Sequence, residues 1–398
     1  MLTTLPESIV LNILANWLDL KFIAALDSAH CAKHSRKEFL STLKSLTVPH
    51  VDLVGTPVVT WLLQHKISAA SVRVRHESAF QALLVSQFFE LNAKHVRSVR
   101  FWHRLGSHNA DFPSTAKHCQ QLTDLCTGRV AVSALSELLH RNQNLLTLVT
   151  HLEDAAPDAF ATLSLPHLTF LNVATSDASH IPQVAALIAS TERLQRLNIS
   201  QFHHTPSNTL VLDSHLPHLK CLKVLHIDII DAQLAHIASL CPNIVHLDLE
   251  ASKGLTDQGI LHVAQGMRHL RSMNLSSCKQ LTDVCMQHLA QHSAHSLKLV
   301  LLGRNSQISR VGMDVLRSAS DNRCVVHCRE DCCNNEDLSD IVRACKATIV
   351  VYPVWYANIH SVHVCDSVEI VEYVLGTNLE SFTTKSLSCL RINWPRLH

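Results

Sequence analysis

The sequence predicts an α/β solenoid of leucine-rich repeats, with a curved parallel sheet inside, helices outside and a small helical module in front. An internal repeat is the main evidence. The segment IVHLDLEASKGLTDQGILHVAQ begins at Ile244, and the similar LRSMNLSSCKQLTDVCMQHLAQ begins 26 residues later at Leu270. A third copy begins at Leu297. A period of about 20–50 residues with the pattern L-x-x-L-x-L is typical of solenoids, in which each unit buries its apolar side against its neighbours.

The repeat can be followed through most of the chain. Steps of 22 to 28 residues separate successive candidate starts, which chance apolar triplets would not keep. These starts are Leu43, Ala69, Val96, Leu122, Leu145, Leu168, Leu194, Leu222, Ile244, Leu270 and Leu297. Beyond Leu297 the pattern degrades: it fits at Cys365, Val368 and Ile370 and at Leu387, Leu390 and Ile392, and only loosely between Arg323 and Tyr352. We therefore predict a solenoid over residues 46–398, clearest over 222–320 and irregular over 321–398.

Each clear repeat supplies one strand and one helix. In IVHLDL, apolar and polar residues alternate, as in a strand with one buried face. Further along, Ile260 and Val263 belong to an apolar stripe with helical spacing. Either Thr256 or Asp257 suits the N-cap of this helix, because a short side-chain oxygen can accept a hydrogen bond from a helix N–H. A strand and a helix in about 26 residues favour a parallel sheet.

These units resemble the cysteine-containing leucine-rich repeats that are common in F-box proteins. The pattern of that family places Cys or Asn eight residues after the first leucine, followed by a hydrophobic residue, Thr and Asp. Cys278 and Asn305 hold the first place, and LTD occurs at 255–257 and 281–283. In the clearest repeat, Ser252 replaces the cysteine.

Residues 1–45 predict three short helices. Thr4 to Glu7 form a capping box, and Asp19 and Ser35 can begin the second and third helices. Three helices followed by repeats resemble an F-box/leucine-rich-repeat protein. That family binds the Skp-type adaptor of a cullin–RING (SCF-type) ubiquitin ligase through this module and a protein substrate through its repeats. The resemblance implies that the adaptor-binding residues are Leu5, Pro6, Ile9, Ile13, Leu14, Leu18 and Leu26. The alternative is that the helices only cover the exposed first repeat.

Charge and motifs exclude several other classes. The net charge of +1 gives no reason to expect a nucleic acid or a membrane as partner, and no apolar run reaches the ~18 residues of a spanning helix. The first ten residues lack the basic region of a signal peptide, so we expect a protein of the cytoplasm, the nucleus or both. Reduced thiols are then expected for the 14 cysteines.

The sequence contains no nucleotide-binding or hydrolase motif, so we predict a non-catalytic protein without a cofactor. One cluster has the residue types of a zinc site: Cys324, His327, Cys328, Cys332 and Cys333. Because its spacing differs from the C-x₂-C pairs of structural zinc sites, we predict no metal there.

The concave strand face is the predicted site of substrate binding, since its side chains lie about 5 Å apart on neighbouring strands. The predicted residues are Arg73, Arg75, Arg100, Trp102, His226, Asp228, His246, Asp248, Glu250 and Asn274. Leu299 and Leu301 follow, so the face is expected to run from basic through acidic to apolar, as suits a protein ligand contacted at several points. Chance variation of solvated strand faces is the alternative.

The predicted function is that of a substrate-recognition subunit of an SCF-type ligase. Two alternatives remain open. One is a repeat scaffold without a role in ubiquitin transfer, and the other is a GTPase-activating protein that resembles the Ran-activating repeat family.

Overall fold

The computed structural model describes residues 46–54, 56–75, 79–102, 118–154, 156, 158–175, 180–201, 212–225, 227–327, 348–353, 359–366 and 369–376, together with 10, 23, 39 and 41–44. The chain forms two compact units. The first comprises Met1–Val173, Ala186–Glu192 and His398, and the second comprises Ala174–Ala185 and Arg193–Leu397.

The first unit contains strands that pair in sequence order, all of them parallel. Its elements are β1 (Thr47–Val54), α1 (Thr56–His65), β2 (Ser68–Arg75), α2 (Ala79–Asn92), β3 (Ser98–Trp102), β4 (Asp124–Val130), α3 (Val132–Arg141) and β5 (Thr147–Leu152). Pairing runs from β1 through β2, β3 and β4 to β5. Two further elements, β6 (Phe170–Thr175) and α4 (Ile181–Ala189), contribute residues to both units.

The second unit repeats a strand and a helix. Its elements are β7 (Arg196–Gln201), β8 (Cys221–Leu225), α5 (Asp231–Leu240), β9 (His246–Asp248), α6 (Asp257–Gly266), β10 (Ser272–Asn274), α7 (Asp283–His292), β11 (Leu299–Leu301), α8 (Arg310–Ala319) and β12 (Val325–His327). The strands β7 to β12 pair consecutively and in parallel, while the helices α5 to α8 contact one another in the same order. A layer of parallel strands joined by helical crossovers confirms the predicted α/β leucine-rich-repeat fold.

The core of the second unit lies between these two layers. Leu247, Met273 and Val300 occupy equivalent positions on β9, β10 and β11 and are at most 2% exposed. From the helix side, Ile260 and Val263 of α6 are fully buried. Burial of each such side chain contributes about 1.5–3 kcal/mol, and each repeat obtains that burial only beside a neighbour.

Strand pairing places two of the predicted repeat starts differently. Leu222 pairs with Leu247, which is the second leucine of its repeat, so this repeat starts at Leu219 and the prediction of Leu222 was wrong. Leu43 is helical, and the β1–β2 register puts the first start at Val48. The run LKCLKVLHI, for example, fits the pattern L-x-x-L-x-L in two ways, starting at Leu219 or at Leu222. Only hydrogen-bonded pairing chooses between such phases.

Successive repeats are also joined at their helix starts. The N-caps of α6, α7 and α8 are Thr or Ser, and the first helical residue of α5, α6 and α7 is Asp. Each Asp carboxylate accepts two hydrogen bonds, from the N–H and the hydroxyl of the next cap. These pairs are Asp231 with Thr256 (2.9 and 2.5 Å), Asp257 with Thr282 (2.9 and 2.6 Å) and Asp283 with Ser309 (both 2.6 Å).

At two of these three contacts the third position of the next helix is a glycine, and the backbone there leaves no room for a β-carbon. A β-carbon on Gly259 would overlap the Asp231 carboxylate, and one on Gly312 would overlap that of Asp283. Cys285 holds the same place in α7. Burial, first, and the nearby Asp257 carboxylate, second, raise the pKa of its thiol, so Cys285 stays a neutral thiol in the repeat interface.

Three further strands, β13 (Thr348–Pro353), β14 (Ile359–Asp366) and β15 (Glu369–Gly376), form a separate antiparallel sheet. The sequence predicts irregular repeats here, with Cys365 and Ile370 in one repeat strand. Instead Cys365 of β14 pairs with Ile370 of β15. Connections of five and two residues suit antiparallel neighbours, whereas parallel strands need a long crossover. The outer bounds of the solenoid stay a prediction.

Of the N-terminal helices, the structure describes only a few positions. Val10, Ile23, Phe39 and Leu43 are helical and buried. The seven predicted adaptor-binding residues, Leu5, Pro6, Ile9, Ile13, Leu14, Leu18 and Leu26, lie outside the described residues. In the described part of the chain, no helix combines the length and the apolar character that a membrane crossing requires.

Candidate protein-binding surface on the strands

We use the name strand face for the strand side chains that alternate with the buried apolar ones. In the first unit, its basic character is weaker than the sequence suggested. Arg73 of β2 donates a hydrogen bond to Asp52 of β1 (Nη1 to Oδ2, 3.3 Å), and Asp52 also contacts His50 (2.8 Å). Asp52 was not among the predicted site residues, although TVPHVDLV alternates like the other strands. Its carboxylate offsets the charge of Arg73.

Arg100 of β3 is exposed and lies directly opposite Arg73 in the β2–β3 register. Burial raises the pKa of the Cys126 thiol on β4 to about 11, and the nearby charge of Arg100 opposes part of that rise. Arg75 and Trp102 are also register partners, while their side chains lie outside the described part. The structure therefore brings Arg73 and Arg100 together, as predicted from the alternation.

In the second unit, the strand face is centred on an ion pair that sequence reasoning missed. Lys223 of β8 lies 3.3 Å from Asp248 of β9, with side chains only 9% and 14% exposed. The residues predicted for this repeat, His226 and Asp228, follow from a repeat start at Leu222. With the corrected start, Lys223 lies opposite Asp248 in the strand register. His226 itself lies outside the described residues.

Asp228 does not belong to a strand. It follows β8, and its carboxylate accepts a hydrogen bond from the backbone N–H of Lys253 (3.2 Å). This contact ties two successive repeats together at the ends of their strands. The predicted substrate-binding role of Asp228 stays a prediction, and the geometry gives the residue a structural role as well.

Glu250 and Asn274 extend the polar part of the strand face. The Asn274 amide donates to Glu250 Oε2 (3.4 Å), and its own Oδ1 accepts from the N–H of Ser276 (3.0 Å). Burial and the neighbouring Asp248 carboxylate raise the pKa of Glu250, against the opposing effects of Lys223 and of the Asn274 hydrogen bond. The carboxylates of Asp248 and Glu250 are thus close enough to interact, and Lys223 of the preceding strand β8 interacts with both.

Next to these groups the face is partly apolar. His246 is buried and its Nδ1 lies 2.8 Å from the Ser272 hydroxyl, while Asn274 lies opposite Leu301 in the β10–β11 register. Leu299 and Leu301 are 3% and 8% exposed, so they offer less apolar surface than expected. Together with Lys223 and Asp248, these side chains line one shallow depression. A depression with fixed polar groups beside leucines can bind a complementary segment without reorganising.

A metal site does not emerge from the described geometry. Within the described ranges, no three His, Cys, Asp or Glu side chains converge as a metal ion would require. Of the cysteine cluster, Cys324 is buried, and Cys328, Cys332 and Cys333 lie outside those ranges. Burial raises the pKa of Cys278 to about 12, which keeps its thiol neutral and unreactive.

Comparison with known proteins finds a family match for part of the repeats. Residues 154–323 match the family model described as FBD-associated F-box protein At5g56370, LRR repeats. The yeast Rad7–Elc1 complex contains a chain with a TM-score of 0.46 and 14% identity, over 82% of this chain and 90% of that chain. This likeness is too low to support a conclusion. No curated protein sequence matches the chain. The family match confirms the resemblance of these repeats to those of F-box/leucine-rich-repeat proteins.

Proposed function

We propose that this chain, whose residues 154–323 are leucine-rich repeats of an F-box-associated family, is the non-catalytic substrate-recognition subunit of an SCF-type cullin–RING ubiquitin ligase. In this role the chain catalyses no reaction of its own. It increases the rate of ubiquitin transfer by holding the substrate close to the charged ubiquitin carrier.

The observation that carries the substrate role is the preorganised strand face of the second unit. Lys223, Asp248, Glu250 and Asn274 are connected across three neighbouring strands by an ion pair, a hydrogen bond and close charge contacts. Groups held in this way lose little conformational entropy when a ligand binds. The ligand class that fits is a protein segment with basic and polar groups for the carboxylates and an apolar side chain near Leu301.

The adaptor role rests on the resemblance of residues 1–45 to an F-box and on the family match of the repeats. We assign adaptor binding to Leu5, Pro6, Ile9, Ile13, Leu14, Leu18 and Leu26. A partner helix packed on such an apolar segment would bind mainly through buried area, so removal of several side chains at once should abolish binding.

Adaptor binding is tested by capture of a purified Skp-type adaptor on the immobilised full chain. The triple substitution Leu5→Ala, Pro6→Ala, Ile9→Ala should abolish capture and leave the thermal unfolding of the repeats unchanged. The matched control replaces exposed apolar residues elsewhere, Leu91→Ala with Val311→Ala, which are 65% and 72% exposed. Capture that is equal in the triple variant and the control would exclude the assignment.

Substrate binding is tested separately by proximity labelling with the full chain in its source cell. Charge reversals on the strand face, Arg100→Glu and Glu250→Lys, should deplete a defined set of labelled proteins, while Val311→Glu on α8 should not. Suppose that the wild-type chain does not capture the adaptor, while the strand-face variants still lose the labelled proteins as expected. The chain is then a repeat scaffold without a role in ubiquitin transfer. That outcome favours the alternative function.

A further inference from the structure

A second surface lies at the edge of the sheet in the second unit, where the strands begin. The residues that directly precede β8, β9, β10 and β11 are Lys220, Val245, Arg271 and Lys298. They form a ladder, because the N–H of Val245, Arg271 and Lys298 each donates to the carbonyl of the preceding member at 2.8 Å. Successive members are therefore held at the strand spacing of about 4.8 Å. We call this surface the starting edge.

The starting edge lines a groove that is rich in cations. Arg268 and three histidines, His218, His269 and His295, join Lys220, Arg271 and Lys298 there. Among the described residues that line this groove, none is an aspartate or a glutamate. Lys220, Arg268 and the three histidines are exposed, whereas Arg271 and Lys298 are half-buried. Four permanent positive charges thus lie within a few strand spacings of one another.

This charge is local and does not follow from the composition. The whole chain carries a net charge of +1, and the strand face of the same strands carries Asp248 and Glu250. An anionic ligand would offset this local positive charge, and the exposed guanidinium group of Arg268, which lines the same groove as the exposed Lys220, can bind a carboxylate or phosphate through two hydrogen bonds.

We propose that the starting edge binds an acidic segment of a partner protein in an extended conformation. The groove encloses about 960 Å³, at the upper end of the roughly 300–1,000 Å³ of ligand pockets. The ladder from Lys220 to Lys298 spans three strand spacings, about 14 Å, which four or five extended residues cover. This site goes beyond the proposed function, since it requires neither an adaptor nor the strand face.

The features of the groove favour a peptide over a nucleic acid. Single-stranded nucleic acid sites combine cations with aromatic side chains on which bases stack, and the described lining includes no phenylalanine, tyrosine or tryptophan. Proteins that bind nucleic acids usually carry a strongly basic domain, while this chain is close to neutral.

The test measures the fluorescence anisotropy of a labelled hexaglutamate peptide titrated with the full chain. Binding should be saturable, weaken as salt is raised and be absent for hexaglutamine. The variant Arg268→Glu, Arg271→Glu should lose at least tenfold in affinity. The matched control, Lys253→Glu with Lys279→Glu, changes the net charge equally at exposed positions beyond the other ends of β9 and β10, and should stay within twofold.

Two further measurements use a milder variant and an oligonucleotide. The exposed pair Lys220→Gln, Arg268→Gln provides a milder variant if the double reversal fails to fold, and it should still weaken binding severalfold. Equal losses in the groove variant and the control, or no binding of hexaglutamate, would overturn the proposal. Tighter binding of a ten-nucleotide oligothymidine than of hexaglutamate would assign the groove to a nucleic acid instead.

Discussion

The substitution Asp257→Ala should weaken the interface between two successive repeats. The Asp257 carboxylate, at the start of α6, accepts hydrogen bonds from the N–H and the hydroxyl of Thr282, the N-cap of α7, at 2.9 and 2.6 Å. Both donors belong to the next repeat. After truncation, the Thr282 N–H and hydroxyl lose their acceptor in a partly buried site.

The expected magnitude follows from these two bonds. A hydrogen bond to a charged group contributes about 1.5–3 kcal/mol net. An acidic residue in the first helical turn adds about 0.3–1 kcal/mol through the helix dipole. Because the two bonds share one acceptor and solvent reaches part of the site, their contributions do not add fully. We expect a loss of about 2–4 kcal/mol in the free energy of unfolding.

Urea unfolding and hydrogen exchange together measure this effect. The control Asp314→Ala removes an aspartate of α8 that is 54% exposed and lies 3.1 Å from Arg317, so it should cost no more than about 1 kcal/mol. Protection should fall most in α6 and α7. A double-mutant cycle with Thr282→Val should give a coupling energy of about 0.5–3 kcal/mol. A loss equal to that of the control, or zero coupling, would refute the reasoning.

Three other predictions follow from single residues. Leu247 is 2% exposed, so Leu247→Ala should lower the free energy of unfolding by about 2–5 kcal/mol. Amide hydrogen exchange should become faster first in the neighbouring repeats, whereas a uniform increase over the whole chain would contradict nearest-neighbour coupling. Ser252→Cys should raise the free energy of unfolding in urea by about 0.5–1.5 kcal/mol. The buried hydroxyl of Ser252 has no hydrogen-bond partner among the described residues, whereas the thiol of the equivalent Cys278 donates to a carbonyl 3.2 Å away. Unchanged stability would show that the cysteine thiol at position 252 does not reach an acceptor. Burial raises the pKa of Glu250 in the folded state, so the protonated carboxyl stabilises the fold at low pH and this contribution is lost as pH rises above the ordinary carboxyl pKa. Glu250→Gln, which does not titrate, should therefore show a smaller fall in the free energy of unfolding over that pH range. Parallel pH profiles of the variant and the wild type would contradict this.

Much of the fold was predictable because the information is local and repeated. Alternation in IVHLDL and the apolar stripe from Ile260 to Met267 predicted a strand and a helix, and both elements are present as β9 and α6. Repetition strengthened each assignment, since a pattern that recurs at equal spacing is averaged over several copies. The chain near Cys365 lacked this support, and there the alternating residues belong to antiparallel strands.

The site was harder to predict than the fold. The alternation placed Arg73 and Arg100 side by side correctly, yet a shift of three residues in one repeat replaced Lys223 by His226 and hid the ion pair with Asp248. Residue types on one strand indicate what a face could contain. The partner on the next strand depends on register, which no local pattern determines when apolar residues recur in two phases.

The sequence by itself determined the repeat unit, the order of strand and helix, and the Thr–Asp pair at the starts of α6 and α7. It left open whether Thr256 or Asp257 is the N-cap. The structure makes Thr256 the cap and turns Asp257 toward the next repeat, where it binds Thr282. A cap is satisfied within its own helix, so local sequence can indicate it. A bond between residues 25 positions apart exists only once two repeats have stacked, and it is therefore the tertiary structure that decides it.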